Sequence, residues 1–449
     1  MTDLWAQFIA HLQEQEITHR SSLVEAMKQP APVSIRWNPA KLTHPPTLKE
    51  PVPWCSTAEY LRERPSFYLD PLWHAGAYYV QEASSMFTGY IIESLSLPNG
   101  SRYLDLCAAP GGKSTHIASL LKEDDLLVAN ETIASRNNIL VENITRWGKD
   151  GVVVTQNSPA AFQSLGPWFD CMVVDAPCSG SGLFRKMPEA IQEWSTESVA
   201  NCAVRQNSIL EDILPALQQN GYLIYATCSF SHLENEANVD SICSRFPLES
   251  IDIAVPEAWG ILRRTTKNGH TCYHFHPDRL EGEGFFVAVM QLRETVPGTV
   301  TSNSGQPPIQ QADENIVAAV QGIADTGNRE VISFKDAYFL LPPRQFYPIA
   351  QLHSHLYIKL HGTAIGEMKG KNLVPAHGLA MHPQITFNVP DFPLDAASAL
   401  SYLRKSDIYL DNNYTGWATV SYNGLRLGWI KKIPQRINNY YPMGYRLRK

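Results

Sequence analysis

The stretch Tyr103-Leu-Asp-Leu-Cys-Ala-Ala-Pro-Gly-Gly-Lys-Ser-Thr-His-Ile-Ala118 constrains the fold more than any other. Apolar residues run into two alanines, then into Pro110-Gly111-Gly112, then into a helix-like segment. That order describes a buried strand, a tight turn and a helix start. Glycines in such a turn let the backbone approach a ligand, and the unpaired N–H groups of the helix N-terminus face it. In open α/β sheets the ligand crevice lies at the C-terminal ends of the strands. Cys107, Ala108, Ala109, Pro110, Gly111, Gly112 and Lys113 are therefore the expected cofactor-binding turn. Two other turn classes fail on spacing. A phosphate-binding P-loop needs a glycine where Cys107 stands, and a dinucleotide fingerprint needs G-x-G-x-x-G.

Strand-like and helix-like segments alternate around this turn. Strands are predicted at Tyr103–Ala108, Leu126–Asn130, Val152–Thr155, Cys171–Asp175, Tyr222–Thr227 and Gly284–Val289. Helices are predicted at His116–Leu121, Ile133–Trp147, Ser195–Gln218 and Glu234–Ser244. The alternation implies an α/β fold with a doubly wound parallel sheet. With 449 residues the chain is too long for one core, and two to four domains are expected.

The flanks differ from this centre. Residues 1 to about 30 read as helical, and Val33–Asn38 as a short strand. Residues 294–330 are polar and rich in Gly, Ser, Thr, Gln and Pro, and read as a linker. Short strands follow at Ala337–Pro342, Leu356–Leu360 and Ala364–Met368, and a helix at Ala396–Arg404. Trp417–Tyr422 and Leu425–Ile430 form a hairpin through Asn423-Gly424. The net charge of −7 hides a basic end: Gly424–Lys449 has seven Lys and Arg residues and no acidic one. Trp429, Tyr440, Tyr441 and Tyr445 lie among them, a mixture suited to RNA. A solvated tail is the competing reading. No signal peptide and no span of about 20 apolar residues is apparent, so no membrane is expected. The eight cysteines form no C-x-x-C pair, which suits reduced thiols in a cytoplasm.

Three further stretches carry chemistry. Glu131 ends the second strand, about 20 residues past the glycine turn, where a carboxylate can bond ribose hydroxyls. Asp175-Ala-Pro-Cys178 follows the fourth strand and Thr227-Cys228 the fifth. If those strands are neighbours, Cys178 and Cys228 face each other across one crevice with Asp175 beside them. The pair reads as a reactive site, with buried packing thiols or a redox pair as alternatives. The run His270-Thr-Cys-Tyr-His-Phe-His276 has zinc-type ligands, but four ligands from one strand do not close a tetrahedron, so no metal is expected.

Together these motifs resemble the Sun family of RNA cytosine-5 methyltransferases. The matching stretches are Ser34-Ile-Arg-Trp-Asn-Pro-Ala-Lys41, Tyr79-Val-Gln-Glu-Ala-Ser-Ser85, Asp105–Lys113, Asp175-Ala-Pro-Cys-Ser-Gly180, Thr227-Cys-Ser229, Glu234-Asn-Glu236 and Gly284-Phe-Phe-Val-Ala288. Tyr402-Leu-Arg404, Gly428-Trp429 and Asn438–Pro442 resemble, more loosely, the C-terminal part of the RsmF type. The resemblance implies a class I, Rossmann-like methyltransferase domain at 76–293. It implies an N-terminal RNA-binding region at 1–75, a linker at 294–330, a β-rich module at 331–389 and a PUA-like RNA-binding domain at 390–449. It implies S-adenosylmethionine as cofactor, held by residues 107–113, Glu131 and Asp175. Cys228 is then the nucleophile, Cys178 assists product release, Asp175 holds the base edge, and Lys113 orders the charges. The family commonly has an adenine-contacting Asp after the third strand; here the local residues are Asn157 and Ser158, with Ser158 at the equivalent place. The implied enzyme is a cytoplasmic monomer acting on 16S rRNA or the 30S subunit. A transfer-RNA methyltransferase and a non-catalytic assembly factor are the alternatives.

Overall fold

The computed structural model describes residues 4–15, 17, 19–42, 47–298, 309–370, 372–410 and 413–448. Helices α1 (Leu4–Glu14) and α2 (Arg20–Met27) precede a small antiparallel sheet of β1 (Val33–Trp37), β2 (Ala58–Leu61) and β3 (Tyr78–Val80), with β1 central. The apolar stripe of α1 puts Phe8 edge-on to Phe184 and Trp194, at 5.1 and 5.3 Å, on the segment that follows Cys178. Arg36 on β1 is fully buried. Its guanidinium donates to Gln81 Oε1 (2.9 Å) and Thr115 Oγ1 (2.7 Å) and lies over the Trp147 ring at 4.6 Å. The N-terminal sheet is thus bolted to the helix that follows the glycine turn. Helices α3 (Pro71–His74) and α4 (Phe87–Leu95) lead into the centre.

The large sheet contains β4 (Arg102–Asp105), β5 (Leu126–Asn130), β6 (Val152–Thr155), β7 (Phe169–Asp175) and β8 (Leu217–Thr227), all parallel. Their order is 6-5-4-7-8, so the chain reverses direction across the sheet at β4. That is the switch point where a crevice opens. Strands β9 (Leu248–Ser250), β10 (Leu262–Thr265), β11 (Thr271–Phe275) and β12 (Phe285–Leu292) extend the sheet, β12 lying antiparallel to β8. Leu104, Val128, Val153, Met172 and Ile224 are fully buried, as strands covered on both faces require. α4, α5 (Gly112–Leu120) and α6 (Ala134–Trp147) pack together, as do α7 (Thr196–Ile213) and α8 (Glu236–Arg245).

The stretch read as a linker is folded from Ile309 onward. It contains β13 (Ile309–Gln311), α9 (Glu314–Gln321) and β14 (Ala324–Asp325). Asp313 caps α9 by accepting from Ile316 N at 3.0 Å, and Ile316 and Val320 bury one face. Polar composition concealed a short amphipathic helix, because four apolar positions suffice for its inner face. Residues 299–308 of that stretch lie outside the described residues. A second sheet follows, from β15 (Glu330–Phe334) and β16 (Ala337–Leu341) to β18 (Thr363–Lys369) and β19 (Asn372–Pro375), with β13 at its edge. Between them run α10 (Phe346–His355) and β17 (Ile358–Leu360). β17 leaves this sheet and pairs with β6 of the large one.

The last region has α11 (His377–Met381), β20 (Thr386–Phe387), β21 (Asp391–Pro393), α12 (Ala396–Leu403), β22 (Gly416–Tyr422), β23 (Leu425–Ile433) and β24 (Arg436–Asn439). β22 and β23 form the expected hairpin; Asn423 and Gly424 have φ of +47° and +78°, as its two-residue turn demands. The aromatic residues interleaved with the basic tail divide. Trp429 and Tyr441 are buried core residues and are not available to stack on RNA, whereas Tyr440 is partly exposed against Trp417. Among the described residues no helix is long and apolar enough to cross a membrane.

Candidate active site

β4 ends at Asp105, and the turn from Leu106 to Gly111 delivers the chain to α5. Gly111 takes φ +115°, a left-handed conformation that side chains disfavour, and a Cβ there would lie 3.3 Å from Leu140. Asp105 is fully buried; Oδ2 accepts from Ser114 Oγ at 2.6 Å, while Oδ1 has no partner. Burial pushes this carboxyl up to about 7 against the pull of Ser114. Burial likewise pushes the Cys107 thiol up.

Glu131, nearly buried, accepts from Ile133 N–H at 2.9 Å and faces Arg136 at 3.4 Å. Arg136 also donates to Ala109 O at 2.9 Å, so one guanidinium braces both the carboxylate and the turn. Lys113 reaches from α5 to the end of β7 and donates to Asp175 Oδ2 at 2.7 Å. Burial opposes the lysine charge, but Asp175 and Asp105 outweigh it and hold the ammonium above its ordinary range.

β7 and β8 are neighbours, with Asp175 opposite Ala226. Cys178 and Cys228 therefore meet, Sγ to Sγ, at 2.7 Å, and both are free thiols. Cys228 N–H points to Cys178 Sγ at 3.3 Å, and Cys228 O accepts from Gly182 N at 2.8 Å. The hydrogen bond with Cys228, reinforced by burial, pushes the Cys178 thiol well above its usual range. All the predicted site residues fall along this one edge of the sheet.

Thr271–Phe275 of the run does form a strand, but the side chains of the run pair with other elements. His274 Nε2 lies 3.0 Å from Glu236 on α8, Cys272 donates to Arg264 O at 3.5 Å, and His276 meets His19 at 2.7 Å. Glu236, Cys272 and His274 bring ligand atoms within 4.8 Å of one another, as do His19, His276 and Asp278. In both groups the closest atoms already bond one another.

Sequence reasoning missed Arg36, Gln81, Gln206 and Glu234 as site residues. Arg36, Gln81 and Glu234 lie in the stretches that carried the resemblance, so those motifs were a usable signal. Gln206 has none, being one polar residue on a long helix.

Family models match most of the chain. Residues 92–291 match "16S rRNA methyltransferase RsmB/F", residues 4–83 the N-terminal domain of 16S rRNA methyltransferase RsmF, and residues 389–447 the methyltransferase RsmF PUA domain. Ribosomal RNA small subunit methyltransferase F of Aeromonas salmonicida is 31% identical, over 87% of this chain and 84% of its own. The enzyme of that name from Aliivibrio salmonicida is 30% identical, over 97% and 96%. The chain belongs to the RsmB/RsmF family. It is an S-adenosylmethionine-dependent rRNA cytosine-5 methyltransferase. The RsmB/RsmF fold is also seen in a methyltransferase homologue from Pyrococcus horikoshii, 27% identical with a TM-score of 0.52, over 61% of this chain and 90% of that one. NSun6 from the same organism, solved with SFG, has a TM-score of 0.52 at 19% identity, over 62% and 95% of the two chains, and shows the fold alone.

Proposed function

We propose that this chain methylates carbon 5 of a cytidine in 16S rRNA through a covalent adduct with Cys228. The observation that carries the reading is the 2.7 Å contact of Cys178 and Cys228 at the ends of adjacent parallel strands. Carbon 5 of cytosine is a weak nucleophile. Addition of the Cys228 thiolate to carbon 6 makes carbon 5 enamine-like, splitting one hard step into easier ones. Bound S-adenosylmethionine supplies the methyl group that carbon 5 then takes. Asp175, fixed by Lys113, holds the base edge and favours protonation at its ring nitrogen. The proton on carbon 5 must then leave while the carbon 6–sulfur bond breaks and its electrons return to Cys228. Cys178 assists that release by general acid/base action. The target base must be unstacked to reach the crevice.

The residues suit the cofactor. The buried, unpartnered Asp105 Oδ1 fits a cationic amino group, and the first turn of α5 fits a carboxylate. Glu131 fits ribose hydroxyls. The same reading gives residues 1–75 and 390–449 to RNA binding, on either side of the methyltransferase domain at 76–293 and the module at 331–389. The enzyme works as a cytoplasmic monomer, with naked 16S rRNA or the 30S subunit as substrate.

The test uses Cys178→Ala protein with S-adenosylmethionine and 16S rRNA or isolated 30S subunits. An RNA–protein adduct that survives denaturant, and is lost when Cys228 is also replaced, is the expected result. An adduct that persists without Cys228, or none with either substrate, overturns the cysteine roles. Sequencing the trapped RNA names the cytidine.

A further inference from the structure

We propose that Glu234 is the positioning residue that sets Cys178 and Cys228 against each other. The inference rests on the two-cysteine reading above. Glu234 is fully buried between the two cysteine loops and touches neither thiol through its carboxylate hydrogen bonds. Oε1 accepts from Ser179 N (2.7 Å) and Gln206 Nε2 (3.1 Å). Oε2 accepts from Ser179 Oγ (2.6 Å) and Ser229 Oγ (2.5 Å). Ser179 follows Cys178 and Ser229 follows Cys228, so one carboxylate grips the residue after each cysteine.

An isolated buried carboxylate is costly, and four donors are what make it tolerable. The donors are themselves held. Gln206 also donates to Pro177 O at 3.0 Å, the residue before Cys178. The Glu234 backbone is anchored too, its carbonyl accepting from Tyr225 OH at 2.5 Å. The two cysteines stand 50 residues apart in sequence. Gly182 N to Cys228 O and Cys228 N to Cys178 Sγ are weaker neutral links between them. Glu234 is the charged bridge. Its negative charge also adds to the influences that keep Cys178 protonated, and so able to donate to the Cys228 sulfur.

Glu234→Gln tests this in the full-length chain. The amide keeps one acceptor and turns an NH2 group toward donors, and Ser179 N–H cannot reverse its role. Adduct formation on 30S subunits is followed in a Cys178→Ala background, with and without Glu234→Gln, which reads the placement of Cys228. The expected result is about a 10- to 100-fold slower adduct, because displaced reacting groups lose rate steeply, with RNA and cofactor dissociation constants unchanged. Methyl turnover by the Glu234→Gln chain with both cysteines present reads the placement of Cys178 and should fall at least as far; unchanged turnover overturns the proposal. An unchanged rate in the folded double variant overturns the proposal. Equal loss of RNA affinity and rate also overturns it, since that is general destabilisation. Should Glu234→Gln fail to fold, Ser179→Ala/Ser229→Ala removes the two bonds to Oε2 and leaves the two to Oε1 in place. It should slow the adduct in the same way, and a normal rate there overturns the proposal. Cys228→Ala run in parallel separates the two failures: methylation by that variant sinks the cysteine reading itself.

Discussion

The crevice between β7 and β8 and the outer edge at β6 are both strand ends, and they are built on opposite principles. At the crevice, side chains hold side chains: Lys113 to Asp175, Cys178 to Cys228, and both serines to Glu234. At the edge, backbone holds backbone. Ile358 pairs with Thr155 and Leu360 with Val154, so β17 covers what would be an exposed edge strand. Asn157 joins that pairing, donating to Tyr357 O at 3.0 Å and accepting from Tyr357 N at 2.9 Å. The Asn157 side chain is thus spent on docking the C-terminal module. Chemistry needs oriented groups, whereas docking needs only satisfied backbone and covered apolar surface.

The largest effect is expected at the crevice. Cys228→Ala should bring methyl transfer to RNA below detection in a labelled-methyl assay while cofactor binding stays intact; residual turnover at normal rate would break the contrast. The edge should answer in stability. Asp150 lies between Arg329 (2.6 Å) and His382 (2.7 Å), joining the methyltransferase domain to the module. Asp150→Ala should cost about 3 kcal/mol in urea unfolding, as loss of one partner of a buried ion pair does. Burial alone would raise this carboxyl, but His382 and Arg329 outweigh it and hold it at about 2. A group lowered in the folded state stabilises above its unfolded value and loses that contribution as pH falls. Stability should therefore drop between about pH 4 and 2, and the drop should vanish in Asp150→Asn.

Smaller changes sharpen the comparison. Glu131→Ala should weaken S-adenosylmethionine by about 10-fold in calorimetry, the worth of a charge-assisted hydrogen bond. An unchanged dissociation constant would remove Glu131 from the cofactor site. Asn157→Ala should cost about 1 kcal/mol of stability and leave kcat alone; a fall in kcat would mean that the edge takes part in the reaction.

The centre of the fold was legible because its signals are local. An apolar run, a glycine turn and a helix start declare a βα unit within sixteen residues. Their repetition implied the sheet, and the usual strand order made β7 and β8 neighbours. The C-terminal half was less legible for a physical reason. In residues 309–330 a capped helix of eight residues lies under a polar composition, and a stripe of apolar positions that short carries little periodic signal. Trp429 and Tyr441 misled because an aromatic residue reads alike whether it packs a core or stacks on a base.

The sequence by itself determined the α/β class, the turn from Cys107 to Lys113, and the strand ends that carry Glu131, Asp175, Cys178 and Cys228. Only the tertiary structure decided that β17 would close the sheet at β6, two hundred residues away, and that Glu234 would hold both cysteine loops. Local geometry is written in spacing along the chain. A hydrogen-bond network among distant residues depends on which backbones arrive together, and single polar residues carry no periodicity that announces it.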